Sequence, residues 1–408
     1  MKKTIIAASL TALAMGSVFA ANTYKYNQAQ GEPIKYNKDS ATEGGKLTGG
    51  WYYDHAENVN ANTNFDHSAN STDITLTGGT FDELIGGNHI KQPTYTESPK
   101  VTIGDTKVTM TDGSVGYFIG GSKANNSDKT TLITGDVTAV ISGGSVTGAG
   151  MGINGAEKVS VVGGSCVKST GYNNQGTPAS TTAETGNISL SISGGTFTGA
   201  VFGGSIADNY GETQASDSAK PDLSIKTGVS SLLIEGGTFD SSEFGVFGGS
   251  AALGKQSSTV SSGSSVSIDA KKAVVITGRV VGGDLLGLGG SDDYATSSTI
   301  NGSTSVSITG SGNITTTESV IGGSLLNLLE KDEESSSTIS GTSEIVIDAA
   351  NAVLGDEVIG GSYVRTQKDT GDASASVKGT SVTVKSGTIK GNVVGGGKVN
   401  GKNGTVES

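Results

Sequence analysis

The chain has 408 residues, with 65 glycines but only 5 prolines, 1 tryptophan and 1 cysteine. This composition is unlike that of ordinary globular domains, and a single cysteine excludes an internal disulfide. The formal net charge is −12, from 27 basic and 39 acidic residues. An acidic surface of this kind argues against nucleic acid and anionic lipid as partners.

Residues 1–20 have the features of a secretory signal peptide. Lys2 and Lys3 precede an apolar stretch that runs from Thr4 to Val18, and small residues lead to a cleavage point at Ala20. The apolar stretch is too short to span a bilayer comfortably. We therefore expect an exported chain at the cell surface, associated with the outer membrane or extracellular, and no membrane insertion by the mature chain.

Residues 21–71 lack the glycine motif of the rest of the chain and contain Trp51, His55 and His67. Two interpretations remain open for this segment. It is either an N-terminal cap, which would protect the exposed edge of the first coil of a repeat fold, or a flexible leader.

Residues 72–408 contain an internal repeat. An apolar residue is followed by two glycines and, in six of nine copies, by serine. The glycine pairs are Gly86-Gly87, Gly120-Gly121, Gly163-Gly164, Gly203-Gly204, Gly248-Gly249, Gly282-Gly283, Gly322-Gly323, Gly360-Gly361 and Gly395-Gly396. Their mean spacing of about 39 residues is typical of solenoids, propellers and arrays.

Short segments with period-two alternation precede most glycine pairs, as in Ile188–Ile192. This alternation predicts a strand with one buried face. A second glycine turn, such as Gly194-Gly195, lies between the strand and the glycine pair. One repeat is thus predicted to be a strand, a glycine turn, a short strand, a second glycine turn and a polar connection.

Such a unit cannot bury its apolar face alone, so like units must stack. We predict an all-β fold, a right-handed parallel β-helix (β-solenoid) of about nine repeats of about 39 residues, with glycine at the corners. Whether one repeat forms one coil or two is left open. A β-propeller is the structural alternative, but its aromatic signatures are missing, because Trp51 lies outside the repeats.

The polar connections differ in length and composition among repeats, at residues 168–186, 206–222 and 330–334 for example. Loops that vary on a constant scaffold are where binding function usually lies. The last residues, 403–408, resemble the start of the preceding repeat, so we expect the repeat domain to end within a further repeat.

Two features of the sequence resemble catalytic motifs but do not meet their requirements. Gly249 to Gln256 nearly matches a phosphate-binding P-loop, but Gln256 replaces the required Ser or Thr and no helix is expected to follow. The serines after the glycine pairs recur too often to be nucleophiles, and His55, His67 and His89 all lie before residue 90.

The same histidines and several acidic residues are the candidate metal ligands of the chain. The spacing of the three histidines matches no compact metal site. Asp292-Asp293 and the pair Asp369 and Asp372 are acid pairs that could bind calcium, although the repeated calcium-binding nonapeptide is absent. No catalytic, cofactor-binding or metal-binding residue is assigned, and calcium is the one cofactor left as an alternative. The outward strand positions mix Ser, Thr, Asp, Lys and Glu, which argues against a threonine ladder for ice binding.

The unit in which Ser340–Asp348 leads to Val358–Ser362, and in which Ile192–Phe197 leads to Val201–Ser205, resembles the glycine-rich repeats of bacterial surface proteins, including autotransporter passengers. The resemblance covers residues 72–400. It implies a β-helical passenger displayed outside the cell for adhesion, aggregation or host contact. The chain departs from a complete autotransporter because no translocator barrel is recognised after the repeats.

Two functions are therefore weighed. The first is an exported, adhesin-like solenoid that is not an enzyme and contacts a glycan or a host or bacterial surface protein, with lateral self-association as a further option. The second is a β-helical polysaccharide lyase or hydrolase, which needs clustered carboxylates and often an arginine. The chain has only two arginines, Arg279 and Arg365, and no repeated acidic ladder, so the first function is favoured.

Overall fold

A computed structural model describes residues 45–50, 52–54, 65–91, 100–125, 130–153, 157–168, 181–209, 222–254, 257–287, 295–328, 334–367 and 371–408, and the backbone of residues 23–27. Every regular element in these ranges is a β-strand. The strands form two sheets. Their pairings run between successive coils of the chain, except that Gly152–Ile153 pairs with the strand that follows it in the same coil. The predicted all-β fold, a parallel β-solenoid, is confirmed; its right-handedness stays a prediction.

The smaller sheet, called the short sheet below, contains ten strands that stack in sequence order. All of its pairings are parallel. Its strands are Tyr52–Asp54, His89–Lys91, Lys123–Asn125, Cys166–Lys168, Ile206–Asn209, Ala251–Gly254, Leu285–Gly287, Leu325–Leu328, Tyr363–Thr366 and Lys398–Asn400.

The larger sheet, called the long sheet below, contains 28 strands. In its N-terminal half they are Thr23–Asn27, Lys46–Thr48, Phe65–His67, Ser71–Ile85, Lys100–Ile103, Thr106–Ile119, Thr131–Thr134, Val137–Ile141, Ser145–Val146, Gly152–Ile153, Glu157–Val162, Thr181–Thr185, Ile188–Ile192, Thr196–Thr198 and Ala200–Phe202. In its C-terminal half they are Leu223–Ile234, Gly237–Phe247, Ser257–Ala270, Val274–Val281, Ala295–Ile300, Thr304–Gly310, Ile314–Thr316, Val320–Ile321, Glu334–Leu354, Val358–Ile359, Ala373–Ile389, Val393–Val394 and Gly404–Glu407.

One repeat forms one coil. The strand Ile188–Ile192, for example, pairs in parallel with Val137–Ile141 of the coil before it and with Ser230–Ile234 of the coil after it. Each of these partners lies one repeat away in sequence. With a strand spacing of about 4.8 Å, the nine steps of the short sheet extend over about 43 Å.

The core is built from stacked columns of like side chains, because each inward position meets its counterpart in the next coil. The rings of Phe197 and Phe239 stack with 4.8 Å between centroids. A second apolar column, between the long and short sheets, contains Phe202 and Phe247, also 4.8 Å apart. All four phenylalanine side chains are fully buried, so each coil completes the core of its neighbours.

The structure has more strands per coil than the repeat pattern predicted. Thr181–Thr185 and Ile206–Asn209 are strands, although both lie in segments that were interpreted as polar connections. In the first of these strands, Thr181 and Thr185 occupy buried positions on either side of Ala183. Hydroxyl side chains at inward positions hide the apolar alternation on which the prediction depended.

The parallel pairing also begins earlier than the predicted boundary at residue 72. Lys46–Thr48 pairs with Glu83–Ile85, and the amides of Gly49 and Gly50 then donate to the carbonyls of Ile85 and Gly87. The glycine ladder therefore has one copy more than the nine predicted. The backbone of Thr23–Asn27 pairs antiparallel with Ser71–Thr75, so part of this strand edge is covered.

The glycine pairs are required by the close approach of successive coils. The amide of Gly203 donates to the carbonyl of Phe247 at 2.7 Å, and that of Gly204 donates to Gly249 at 2.9 Å. A Cβ atom at Gly203 would lie 2.6 Å from the carbonyl oxygen of Gly248, which is closer than Cβ atoms approach oxygen. The motif therefore needs glycine because only glycine allows successive coils to approach this closely.

Candidate contact surface and a buried charged cluster

The serines after the glycine pairs form a ladder inside the solenoid. The amide of Ser165 donates to the hydroxyl of Ser205 at 3.0 Å, and the amide of Ser205 donates to Ser250 at 3.0 Å. These side chains are buried. Each hydroxyl accepts a hydrogen bond from a backbone amide of the preceding coil. These serines therefore have a structural role.

Asp284 replaces serine at one position of this ladder and is fully buried. Its Oδ1 accepts from the amide of Ser250 at 2.7 Å, and its Oδ2 accepts from the hydroxyls of Thr259 at 3.2 Å and Ser298 at 2.6 Å. Burial raises the pKa of this carboxyl, and the three hydrogen bonds oppose that rise only in part. The site is made of hydrogen-bond donors, not of cations.

The outward side chains of the strands fall into columns of like chemistry. The first outward column contains eight hydroxyl side chains in successive coils: Thr131, Thr182, Ser224, Ser258, Ser297, Ser336, Ser374 and Thr405. All eight are half-buried or exposed. The second outward column, on the next strand of the coil, contains Thr138, Ser189, Ser231, Ser265 and Ser305.

The outward residues look mixed along the sequence, but the stacking of the coils places side chains of like chemistry in the same column. Charged residues stand elsewhere, or at the ends of the hydroxyl columns. Asp73 and Lys107, which precede Thr138 in the second outward column, form an ion pair at 3.3 Å across adjacent coils. Hydroxyls along both columns present donors and acceptors every 4.8 Å or so without fixed charge.

The variable connections all leave the solenoid from the same corner. Each begins after a strand of the short sheet and ends before the first long-sheet strand of the next coil, as between Lys168 and Thr181 or between Leu328 and Glu334. The intervening residues lie outside the described part of the chain, as do Asp292, Asp293 and Asp369. The described strand ends between which the connections run lie side by side along one edge of the solenoid.

A charged cluster is buried at the N-terminal end of the second apolar column. Glu83 lies at its centre, with Lys46 Nζ 3.1 Å and His89 Nδ1 3.2 Å from its Oε1. Lys123 Nζ lies 2.9 Å from its Oε2. Lys123 also donates to the hydroxyl of Tyr117, and its Nζ lies 4.3 Å from the centre of that ring. Three coils thus contribute to one polar group.

Burial and the contact between the two side chains act in opposite directions on the protonation of Glu83 and His89. Burial would raise the pKa of Glu83, but the hydrogen bond to His89 and the charges around it, including both lysines, hold that pKa below its usual range. Burial lowers the pKa of His89 to about 4, against the effect of Glu83. At pH 7 Glu83 is therefore a carboxylate and His89 a neutral imidazole.

This cluster was not predicted from the sequence, because its members lie in different repeats. The signal that could have revealed it is a substitution within the repeat. Lys123 stands where the following coils have Cys166, Ile206 and Ala251, and charge at an apolar position of a repeat marks a local change of environment.

The residues that sequence analysis considered are not brought together. His89 is in the buried cluster, His67 ends a separate strand, and His55 lies outside the described residues. No group of three or more His, Cys, Asp and Glu with metal-binding geometry occurs in the described ranges. The near P-loop continues as the strand Ala251–Gly254 instead of a helix. Burial raises the pKa of Cys166 to about 12, which fits its interpretation as a structural thiol.

The fold alone defines the class of this protein, because the comparisons with known proteins found no match. No family model, no curated protein and no solved structure matches the chain. In the described residues, no helix is long and apolar enough to cross a membrane. The protein is a β-solenoid with a structural glycine and serine interior and hydroxyl columns on its outside.

Proposed function

We propose that the protein is an exported, adhesin-like β-solenoid that binds a glycan or a surface protein of a host or bacterial cell through its outward columns. The observation that carries this proposal is the uninterrupted first hydroxyl column, from Thr131 to Thr405. Regularly spaced hydroxyls suit contact with an extended partner, because one weak hydrogen bond can be repeated in each coil.

Three further observations support this proposal. The features that resemble catalytic motifs have structural roles in the glycine and serine ladders. The chain is acidic overall, which disfavours polyanionic partners. The variable connections emerge along one edge, where they would add specificity to a constant scaffold. We propose that the signal peptide at residues 1–20 directs the chain to the cell surface or the medium.

The test is binding of the purified mature chain to a glycan array and to intact bacterial and host cells. Replacement of Thr182 and Ser224 by lysine in the first outward column should lower binding at least about tenfold, since each long cation displaces the partner from two adjacent coils. The same change at Thr196 and Thr238, which are exposed on a different strand of the same coils, is the matched control.

The alternative function, a polysaccharide lyase or hydrolase, is decided by the same preparation. Incubation with each bound glycan, followed by measurement of reducing ends, should show no release of product. Release by the wild-type chain would replace the adhesin proposal with the enzymatic one. Loss of binding in both the test variant and the control would assign the contact to the whole outer surface instead of the first hydroxyl column.

A further inference from the structure

The buried charged cluster has the arrangement needed for a chemical reaction between two of its own members. Glu83 is 1% exposed, Lys123 is 6% exposed and His89 is fully buried. An amine and a carboxyl group are held 2.9 Å apart there, in a site from which water is largely excluded. Fixed proximity of this kind replaces the entropic cost of bringing two reactants together.

We propose that Lys123 and Glu83 condense into an intramolecular amide that covalently links two successive coils. The Nζ atom of Lys123 bonds to Cδ of Glu83, and the bond from Cδ to one carboxyl oxygen breaks. That oxygen leaves as water with two of the three protons of the ammonium group. The reaction consumes one positive and one negative charge, so atoms and charge balance without an added reagent.

The neighbouring side chains are placed to assist this step. Reaction begins with proton transfer from Lys123 to the carboxylate, since only the neutral amine is a nucleophile. Oε2, which lies 2.9 Å from Nζ of Lys123, receives both protons from that nitrogen and leaves as water. His89 lies 3.2 Å from Oε1, the oxygen that remains in the amide, and holds it in place. Lys46, 3.1 Å from the same oxygen, stabilises the negative charge that develops there during attack.

Burial also favours the product. An ion pair inside a protein loses the hydration of both ions, and its mutual attraction recovers that loss only in part. A neutral amide is cheaper to bury when its polar atoms are hydrogen-bonded, and Tyr117, Lys46 and His89 remain in place to do this. The water formed is released from an apolar compartment, which opposes hydrolysis.

The chain contains an internal control at the other end of the same apolar column. Glu357 and Lys398 form an ion pair from equivalent positions: each glutamate stands three residues before a glycine pair, and each lysine begins the short-sheet strand of the next coil. The ring of Tyr363 lies 5.4 Å from Nζ of Lys398. However, Glu357 is 15% and Lys398 32% exposed. No histidine is present in residues 334–408, so we expect this pair to remain ionic.

The test is mass spectrometry of the purified full chain after denaturation and proteolysis. We expect a branched peptide containing Glu83 and Lys123, lighter by one water than the sum of its two parts, and unlinked peptides for Glu357 and Lys398. Lys123→Arg retains the positive charge but cannot form the amide, so it should restore the missing water and yield two separate peptides.

Recovery of Glu83 and Lys123 only in separate, unmodified peptides from the wild-type chain would overturn the proposal, whatever the variant does. A link at Glu357 and Lys398 without one at Glu83 and Lys123 would overturn it as well, because burial would then not control the reaction. Binding to glycans or cells plays no part in this measurement, so its outcome is independent of the proposed function.

Discussion

At the scale of single residues, the glycine pairs are selected by the distance between coils and not by a turn type. Gly203 has no positive φ, unlike Gly195 at 112°, yet a side chain there would collide with the backbone of the next coil. Gly395 occupies the same position of the motif in the last copy, and a Cβ atom there would meet nothing within 4 Å. The two positions differ only in what lies above them.

This difference gives a matched pair of variants. Gly203→Ala should lower the free energy of unfolding by about 3 kcal/mol, because two coils must separate to admit one methyl group. Gly395→Ala should change it by less than about 0.5 kcal/mol. Urea unfolding followed by circular dichroism measures both. Equal losses in the two variants would show that the requirement is conformational and not steric.

Asp284 gives a prediction with a defined pH dependence. Its pKa is raised in the folded chain relative to the ordinary value of 3.8, so the folded state holds this proton more tightly than the unfolded state. The stability it contributes is present below that ordinary value and is lost as the pH rises through the folded pKa. At pH 7 the ionised carboxylate of Asp284 therefore lowers the stability of the folded chain.

Asp284→Asn should therefore raise the melting temperature at pH 7 by a few degrees, and the gain should shrink as the pH falls towards 4. The amide oxygen can still accept from Ser250, which preserves the ladder. Asp240→Asn, at an exposed position, is the control and should show no such trend. Thermal unfolding over a pH series makes the comparison, and a gain that is independent of pH would contradict the role of ionisation.

At the scale of strands, the sequence predicted those elements whose inward residues are apolar. Ile188–Ile192 was found because isoleucine and leucine alternate with serine. Thr181–Thr185 was missed because threonine is both a good strand former and a turn-region residue, and its buried hydroxyls look polar in the sequence. The first coil was missed for a related reason, since Gly49-Gly50 is followed by Trp51 instead of serine.

The candidate sites were less predictable than the strands. The hydroxyl columns depend on which residue of one repeat aligns with which residue of the next, and connections of unequal length conceal that register. The buried cluster depends on a contact between Glu83 and Lys123, which are 40 positions apart. A single sequence contains no pairing information at that separation, so only the stacked backbone brings such residues together.

At the scale of the whole molecule, the solenoid is a stack in which each coil contacts its neighbours alone. Stability should then be a sum of coil and interface terms. Removal of residues 282–321 joins Val281 directly to Gly322 and deletes one period, so the columns on either side remain in register. Residues 282–301 are half a period, and their removal would set apolar positions of one coil against turns of the next.

We expect the variant lacking residues 282–321 to fold cooperatively, with a denaturant m-value reduced in proportion to the surface removed. The variant lacking residues 282–301 should lose its cooperative transition. Urea unfolding and size-exclusion chromatography distinguish the two. Cooperative unfolding of both would mean that the coils do not depend on register.

The shared register also has a genetic consequence. Because each coil is encoded by a contiguous and similar segment, unequal recombination between two such segments adds or removes whole coils and leaves every surviving contact type intact. The rod can thereby become longer or shorter in steps of about 4.8 Å. Each variant with one coil more or one coil fewer is expected to fold. Rod length is a trait that selection can adjust one repeat at a time.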